Sequence, residues 1–174
     1  MDHDAYSDEL IRAILHRVKT IAMVGASNNV ARPSYFVFKY LLGRGYRMIG
    51  VNPGLAGGDI LGAPVYARLA DIPEAIDMVD IFRNSEAAGA IVDEALALSP
   101  LPSVIWMQLT VRNDAAAARA EAQGVQVIMN RCPKIEYGRL SGEISWNGVN
   151  SRMISAKKPQ RAQGGVQRLT IDRK

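Results

Sequence analysis

The chain alternates between segments with helical spacing of apolar residues and short, uninterrupted apolar runs. In residues 5–18 the apolar side chains recur three and four positions apart, which predicts an amphipathic helix with Ser7 as its N-cap. Further helices are predicted over residues 32–45, 84–98 and 113–123, with a short one around 72–75. The apolar runs, which predict β-strands, cover residues 20–24, 46–51, 77–82, 103–109 and 125–130.

Residues at the ends of these helices support the assignment. Pro33 stands at a first-turn position of the second helix, where its missing N–H costs nothing, and Gly43 or Gly45 provides the exit. The third helix opens on Asn84 or Ser85, both of which favour the N-cap position. Strands and helices therefore alternate along the chain.

This alternation predicts βαβ units and a parallel sheet. The strands are apolar throughout, as expected when helices cover both faces of the sheet. The sequence thus predicts an α/β fold with a doubly wound, mainly parallel five-stranded sheet between two helical layers. Ligands bind such sheets at the carboxyl ends of the strands, near the switch point. The loops predicted to lie there are 25–33, 52–58, 108–112 and 130–133, together with Arg83.

The first of these loops reads GASNNVARPS and ends where a helix begins. Free N–H groups and the dipole at a helix N-terminus attract anions, and Arg32 can bridge two phosphate oxygens. Ser27 and Ser34 can donate further hydrogen bonds. The loop is therefore a candidate phosphate site, although Gly25 could simply turn the chain and Arg32 could be a solvated surface residue.

The same loop argues against two common nucleotide sites. A dinucleotide site would have G-x-G-x-x-G here and an acid at the end of the second strand. This chain has Ala26-Ser27-Asn28 after the first glycine, and Asn52 in place of the acid. The lysine and hydroxyl of a P-loop are absent as well. A nicotinamide dehydrogenase and a P-loop nucleotidase are both disfavoured.

Two further loops supply candidate ligand contacts. Asn52 and Pro53 form a rigid bend after the second strand, and the glycines that follow allow backbone to approach a ligand, although an ordinary surface loop would look the same. Arg83 stands between a strand end and a helix start, which favours a role in ligand binding. Trp106 is expected in the core, while Gln108, on the same side of its strand, could hydrogen-bond at the mouth of the site.

Cys132 invites two interpretations. Next to Arg131 and Lys134 it could be a low-pKa thiolate, but nucleophilic catalysis also needs a nearby base. Both histidines, His3 and His16, precede the first strand, so a packed and inert cysteine is the preferred interpretation. Without clustered histidines or carboxylates the sequence offers no metal site.

Composition places the chain among ordinary globular proteins, with 48% hydrophobic and 22% charged residues over 174 positions. No apolar run approaches the roughly 20 residues of a membrane helix, and the acidic N-terminus is unlike a signal peptide. A single cysteine excludes an internal disulfide framework and fits a reducing compartment. We therefore expect a cytoplasmic protein without a membrane partner.

The net charge of +4 is concentrated at one end of the chain. Residues 150–174 carry seven basic residues and one acid, so the remainder is slightly acidic. A basic tail on an acidic body argues against nucleic acid as the partner. The tail is expected to be solvated, or else to touch an anionic ligand or a protein partner.

Three stretches together carry a family resemblance: TIAMVGASNNVARPSYFVFKYLLGRGYRMIGVNPG, VYARLADIPEAIDMVDIFRNSEAA and VIMNRCPKIEYGRL. They resemble the small stand-alone CoA-binding proteins, the YccU-like family, which are similar to the N-terminal CoA-binding domain of the succinyl-CoA synthetase α-subunit. The resemblance spans about residues 8 to 140. It implies a Rossmann-like domain over residues 1–145, holding coenzyme A or an acyl-CoA across the strand ends, and leaves residues 146–174 as a basic extension.

The resemblance also implies the binding residues. The Gly-Ala-Ser and Arg-Pro-Ser motifs would receive the phosphates, the Asn-Pro pair would lie near the adenosine, and the remaining residues would line the rest of the groove. The cofactor-binding residues implied in this way are Gly25, Ala26, Ser27, Arg32, Pro33, Ser34, Asn52, Pro53, Phe82, Arg83, Asn84, Gln108, Asn130, Arg131 and Cys132.

One position departs from the family pattern. Relatives often carry a lysine just after the second-strand proline, where this chain has Gly54. A charge contact to a CoA phosphate is then missing, or is supplied by Arg32 or the basic tail.

The expected function is CoA binding without chemistry by this chain alone, because the phosphorylated histidine and second domain of the synthetase have no counterpart here. Two alternatives use Cys132: a thiol-dependent acyl-transfer enzyme, or a redox switch that forms a mixed disulfide with CoA. A homo-oligomer or a protein partner remains open.

Overall fold

The structure, a computed structural model, describes residues 2–142. Seven strands form one sheet: β1 (Thr20–Val24), β2 (Arg47–Val51), β3 (Asp59–Ile60), β4 (Ala63–Tyr66), β5 (Met78–Ile81), β6 (Val104–Met107) and β7 (Gln126–Ile128). Five helices surround it: α1 (Asp8–Arg17), α2 (Pro33–Gly43), α3 (Ser85–Leu96), α4 (Asp114–Ala122) and α5 (Pro133–Leu140).

The strand order is β3-β4-β2-β1-β5-β6-β7, and every neighbouring pair is parallel except β3 and β4. The predicted α/β, doubly wound and mainly parallel sheet is confirmed, whereas the predicted count of five strands is wrong. The two additional strands form a hairpin inside the glycine-rich connection after β2. β4 joins β2 in parallel through the pairs Gly50–Val65 and Val51–Tyr66, a contact between segments that short apolar runs do not reveal.

Helices bury apolar side chains against both faces of the sheet. On one face α1, α2 and α5 pack around a core that includes Ile14, Phe38 and the fully buried Trp106. On the other face α3 and α4 pack against residues such as Val79 and Ile105. The two helical layers and the core position of Trp106 are as predicted.

The helix caps follow the sequence closely. The Ser7 hydroxyl accepts a hydrogen bond from the Leu10 N–H at 3.2 Å, and the Asn84 carboxamide accepts one from the Ala87 N–H at 2.9 Å. Pro33 occupies the first turn of α2, as expected. These contacts are local, so the sequence alone predicts them.

One helical prediction is wrong, and one helix was missed. The short helix expected around residues 72–75 is instead a 3₁₀ turn at Leu69–Asp71. Helix α5 was not predicted, because its eight residues are too few for a clear apolar period and its place depends on packing of the buried Tyr137.

Among residues 2–142, no helix has the length and apolar character needed to cross a bilayer. The predicted domain boundary at residue 145 and the basic extension both lie outside the described residues.

Candidate ligand-binding site

The topological switch point of the sheet lies between β1 and β5. The chain leaves β1 for β2 on one side and later returns to β5 on the other, so the carboxyl ends of β1 and β5 open a crevice. Gly25 follows β1 at this crevice, and Phe82 and Arg83 follow β5. Two of the predicted ligand loops therefore meet at the switch point.

Backbone crowding at the switch point requires glycine at position 25. Gly25 has a φ of 86°, and a Cβ added there would lie 2.5 Å from the carbonyl oxygen of Phe82. The Phe82 N–H donates to the carbonyl of Val24 at 2.8 Å, which holds the two strand ends at this spacing. The same Cβ position lies 3.1 Å from Cδ of Arg83, so that side chain passes directly over Gly25.

Asn52 ties the first two loops together. Its Nδ2 donates to the carbonyl oxygen of Ala26 at 2.8 Å, and its Oδ1 accepts from the Gly54 N–H at 2.9 Å. A carboxylate at this position could accept but could not donate to Ala26. The amide that replaces the expected acid of a dinucleotide site is thus explained by its contacts within the protein.

The rest of the first loop is organised by short polar turns. The Ser27 hydroxyl accepts from the Asn29 N–H at 3.1 Å, and the Asn29 Oδ1 accepts from the Ala31 N–H at 2.9 Å. Arg32 is the exposed N-cap of α2 and makes no side-chain capping bond, while Ser34 in the first turn is buried. The N-terminus of α2 and the Arg32 side chain consequently border the first loop.

A cavity of about 970 Å³, called here the α2–α5 pocket, opens beside the switch point. It lies between the starts of α2 and α5 and the segments 82–85 and 108–111. Its apolar walls include Phe36, Leu109 and Ile135. The volume falls within the range of small-molecule and cofactor pockets.

Not all of the predicted site residues meet in this pocket. Those that line it are Pro33, Phe82, Arg83, Asn84, Gln108 and Cys132. Gly25, Ala26 and Asn52 belong to the adjoining strand ends, connected to the pocket through Arg83.

Asn130 and Arg131 make contacts elsewhere and do not line the α2–α5 pocket. The Asn130 Oδ1 accepts from the Thr110 N–H at 2.8 Å, which fixes the loop after β6. The Arg131 guanidinium lies 5.4 Å from the ring centre of Tyr6 and 3.8 Å from Glu136. These two side chains therefore stabilise the surroundings of the pocket.

Cys132 lines the pocket at the N-terminus of α5 but is only 6% exposed. Burial raises the pKa of its thiol against the opposing effect of the Ile135 N–H, and the negative charge of Asp80 raises it further. The packed cysteine is therefore favoured over the low-pKa thiolate.

Sequence reasoning missed Asp80, a fully buried carboxyl in the middle of β5. Its Oδ1 accepts from Nε2 of Gln108 at 2.8 Å, and its Oδ2 has no hydrogen-bond partner among residues 2–142. Burial raises the pKa of Asp80 to about 7, although the bond from Gln108 lowers it. An acid inside an otherwise apolar strand was the available signal.

Positive charge is also available at the site. Within residues 2–142, no carboxylate forms an ion pair with Arg83 or Arg32, whereas Arg47 is paired with Glu74 at 2.8 Å. Lys134, at the start of α5, lies 5.7 Å from the ring centre of Tyr40. Arg83, beside Gly25, and Arg32, at the start of α2, can thus meet an anionic ligand without breaking an ion pair in the described part of the chain.

Comparison with known proteins identifies the family. A family described as a CoA binding domain matches residues 19–138. The chain belongs to this CoA-binding domain family. The matched segment starts just before β1 and ends within α5, so it contains both the switch point and the α2–α5 pocket.

Relatives of this CoA-binding domain protein cover most of its length. The uncharacterized protein YneT of Bacillus subtilis (strain 168) is 35% identical over 127 residues, which is 73% of this chain and 91% of the relative. A hypothetical protein from Pyrococcus horikoshii OT3 has a TM-score of 0.73 and 37% identity, over 79% of this chain and 94% of that one. A protein from Thermus thermophilus also has a TM-score of 0.73, with 35% identity over 78% of this chain and 99% of that one.

These findings confirm the family resemblance read from the sequence motifs. The matched residues 19–138 contain all seven strands of the doubly wound sheet.

Proposed function

We propose that the protein binds coenzyme A or an acyl-CoA at the carboxyl ends of its parallel strands. The observation that carries this proposal is the continuity between Gly25, Arg83 and the α2–α5 pocket in a CoA-binding domain. The phosphates lie over the loop 25–34 and beside Arg83. The pantetheine arm enters the pocket.

The two ends of the site match the two ends of coenzyme A chemically. Its nucleotide end carries phosphates, which suit the helix start at Pro33, the glycine backbone and the cations Arg32 and Arg83. Its pantetheine arm is longer and less charged, and suits a pocket walled by Phe36, Leu109 and Ile135. A nicotinamide dinucleotide, with two nucleotide ends, fits this division less well.

The proposal does not require a lysine at the position of Gly54. Its N–H is already bonded to Asn52, and its backbone lies at the strand end where a phosphate or ribose would approach. The charge supplied by a lysine in relatives comes here from Arg32 or Arg83, with the basic tail as a further source.

The proposed activity is binding and not catalysis. Because burial raises the pKa of the Cys132 thiol, little of it would be thiolate near pH 7, which weakens the acyl-transfer and redox alternatives. An intact-mass measurement after incubation with acyl-CoA tests this point, since a binding protein gains no covalent acyl mass.

Calorimetry with CoA, dephospho-CoA, NAD and ATP tests the proposal directly. CoA is expected to bind most tightly. Arg83→Ala should weaken CoA binding about tenfold or more, the effect of losing a charged hydrogen bond. Arg119→Ala is a matched control on the outer surface of α4, where its partner is Asp93, and should leave the affinity unchanged. Binding of NAD in the absence of CoA binding would contradict the proposal.

Arg32 can be assigned by comparing two ligands. If its guanidinium meets the 3′-phosphate, Arg32→Ala weakens CoA more than dephospho-CoA, which lacks that group. Equal losses for the two ligands would assign Arg32 to the pyrophosphate instead.

A further inference from the structure

Asp80 and Gln108 form a buried polar pair at the wall of the α2–α5 pocket. Asp80 lies in β5 and Gln108 directly follows the neighbouring strand β6, and their positions share the face of the sheet that packs against α2 and α5. Gln108 is 6% exposed and reaches the pocket, whereas Asp80 is fully buried behind it. The pair connects the pocket to the interior of the sheet.

The chemistry of the pair determines which end of the Gln108 amide faces the pocket. An ionised carboxylate can only accept hydrogen bonds, so it orients the NH₂ group of Gln108 toward itself, at 2.8 Å. The carboxamide oxygen is then directed away from Asp80. Among the described residues, no donor is bonded to that oxygen. Gln108 therefore presents a hydrogen-bond acceptor to the pocket.

Asp80 is costly as a purely structural residue. A carboxyl group buried in an apolar strand is unfavourable unless its oxygens are paired, and Oδ2 of Asp80 has no partner in the described part of the chain. The remaining residues of β5 are apolar and buried. A buried acid beside a ligand pocket is a recognised sign of a functional position.

We propose that Gln108 recognises an amide N–H of the pantetheine arm, and that Asp80 is the positioning residue that keeps the Gln108 oxygen turned toward the ligand. This inference rests on the proposed function and specifies how the pocket selects its ligand. The phosphates of coenzyme A carry no N–H donor. Gln108 and Asp80 therefore distinguish the pantetheine arm from the phosphate groups of the ligand.

The protonation state of Asp80 should then control the affinity. Burial raises the pKa of Asp80 to about 7, so the carboxyl is ionised above this pH and protonated below it. A protonated Asp80 can donate to the Gln108 oxygen, which would turn the NH₂ group toward the ligand N–H and remove the bond. Among the described residues, the other ionisable groups that line the pocket are Cys132 and Lys134 on the α5 side and Arg83 at the end of β5.

The first test separates the arm from the nucleotide. Gln108→Met keeps the side-chain length and removes both polar ends. Calorimetry should show CoA binding weakened about fivefold, the loss expected for one neutral hydrogen bond, with the affinity for adenosine 3′,5′-bisphosphate within twofold of the original. Equal losses for both ligands, or no loss for CoA, would overturn the inference while leaving CoA binding itself intact. Absence of CoA binding by the unaltered protein would remove the proposed function as well.

The second test is a pH profile, which a merely structural pair would not produce. Dephospho-CoA is the ligand, because it lacks the 3′-phosphate monoester that itself titrates near pH 6. The affinity should fall up to about tenfold from pH 8 to pH 6, the limit for one linked proton with a pKa near 7. Asp80→Asn, which has no ionisable group, should remove this dependence, whereas the surface control Asp93→Asn should retain it. An unchanged profile in Asp80→Asn would overturn the positioning role.

Discussion

Gly25 shows how one residue sets the spacing of the strand ends. Two separate features favour glycine at this position: its positive φ, and the Phe82 carbonyl oxygen only 2.5 Å from where a Cβ would lie. Gly57 shares only the first of these features. Gly57 has a φ of 84°, and no neighbouring atom of residues 2–142 lies within 4 Å of its Cβ position. The two glycines therefore form a matched pair.

Gly25→Ala should destabilise the protein more than Gly57→Ala. At position 57 the cost is that of an alanine at positive φ, about 1 kcal/mol. At position 25 the clash with backbone adds about 1–3 kcal/mol, as in other overpacked sites. Denaturant unfolding of both variants measures the difference, and equal losses would show that the strand ends separate easily.

Asp80 should make stability depend on pH. Its folded-state pKa, about 7, lies above the value of about 4 for an unfolded carboxyl, so the free energy of unfolding should fall as the pH rises from about 4 to about 7. Asp80→Asn removes this group and should raise the Tm at pH 8 with little change at pH 4. Thermal unfolding at the two pH values checks the sign, and a lower Tm of the variant at pH 8 would contradict it.

At the scale of elements, Asn113 joins two helices. Its Oδ1 accepts from the Ala116 N–H at 3.0 Å and caps α4, while its Nδ2 donates to the Ser85 carbonyl at 3.1 Å, at the start of α3. Ser7 caps α1 through a single exposed bond to Leu10. The two residues differ in whether the cap also holds a neighbouring helix.

Asn113→Ala should cost about 2 kcal/mol, because it removes a cap and leaves the Ser85 carbonyl without this donor. Ser7→Ala should cost less, about 0.5–1 kcal/mol, for the cap alone. Chemical denaturation of the two variants gives the comparison. Similar losses would mean that the bond between the helices contributes little.

The elements also show how far sequence reasoning extends. Caps, breaks and five strands could be predicted because they depend on residues a few positions apart, such as Ser7 and Asn84. The β3–β4 hairpin and α5 could not, since both are stabilised by distant partners: β2 in one case and the packing of Tyr137 in the other. Local pattern carries little information about such contacts.

In the candidate site, too, some contacts could be predicted from the sequence and others could not. The rule for strand ends in doubly wound sheets predicts that Gly25 and Arg83 meet. It does not predict that Asn52 serves the fold through Ala26, or that Asp80 lies behind Gln108, because each depends on which side chain lies opposite in a neighbouring strand or loop. The roles of Asn52 and Asp80 are therefore decided by contacts between segments that are distant in the sequence.

At the scale of the whole molecule, the buried core residues of the described part of the chain extend from Ile11 to Tyr137. The family match ends close by, at residue 138. On this basis we propose a domain of residues 1–145 that is followed by an extension of residues 146–174.

A chain ending at residue 145 should keep its Tm within about 3 °C, a shift that corresponds to less than about 1 kcal/mol. Its affinity for CoA should change less than threefold if the tail is merely solvated. Calorimetry at low and moderate salt checks this, because a tail that contacts the phosphates would give a larger loss at low salt. Such a loss would assign part of the binding charge to residues 146–174.

The bonds that Asn52 makes to Ala26 and Gly54 have a consequence for how a ligand is received. Together with the bond from the Gly25 N–H to Val51 at 3.0 Å, they fix the two loops before any ligand arrives. Binding then needs little ordering of the chain, so less of the interaction energy is lost as entropy. The Gly25 and Gly54 amide hydrogens should accordingly exchange slowly with solvent in the free protein, and binding should slow them only slightly further: the site is preorganised.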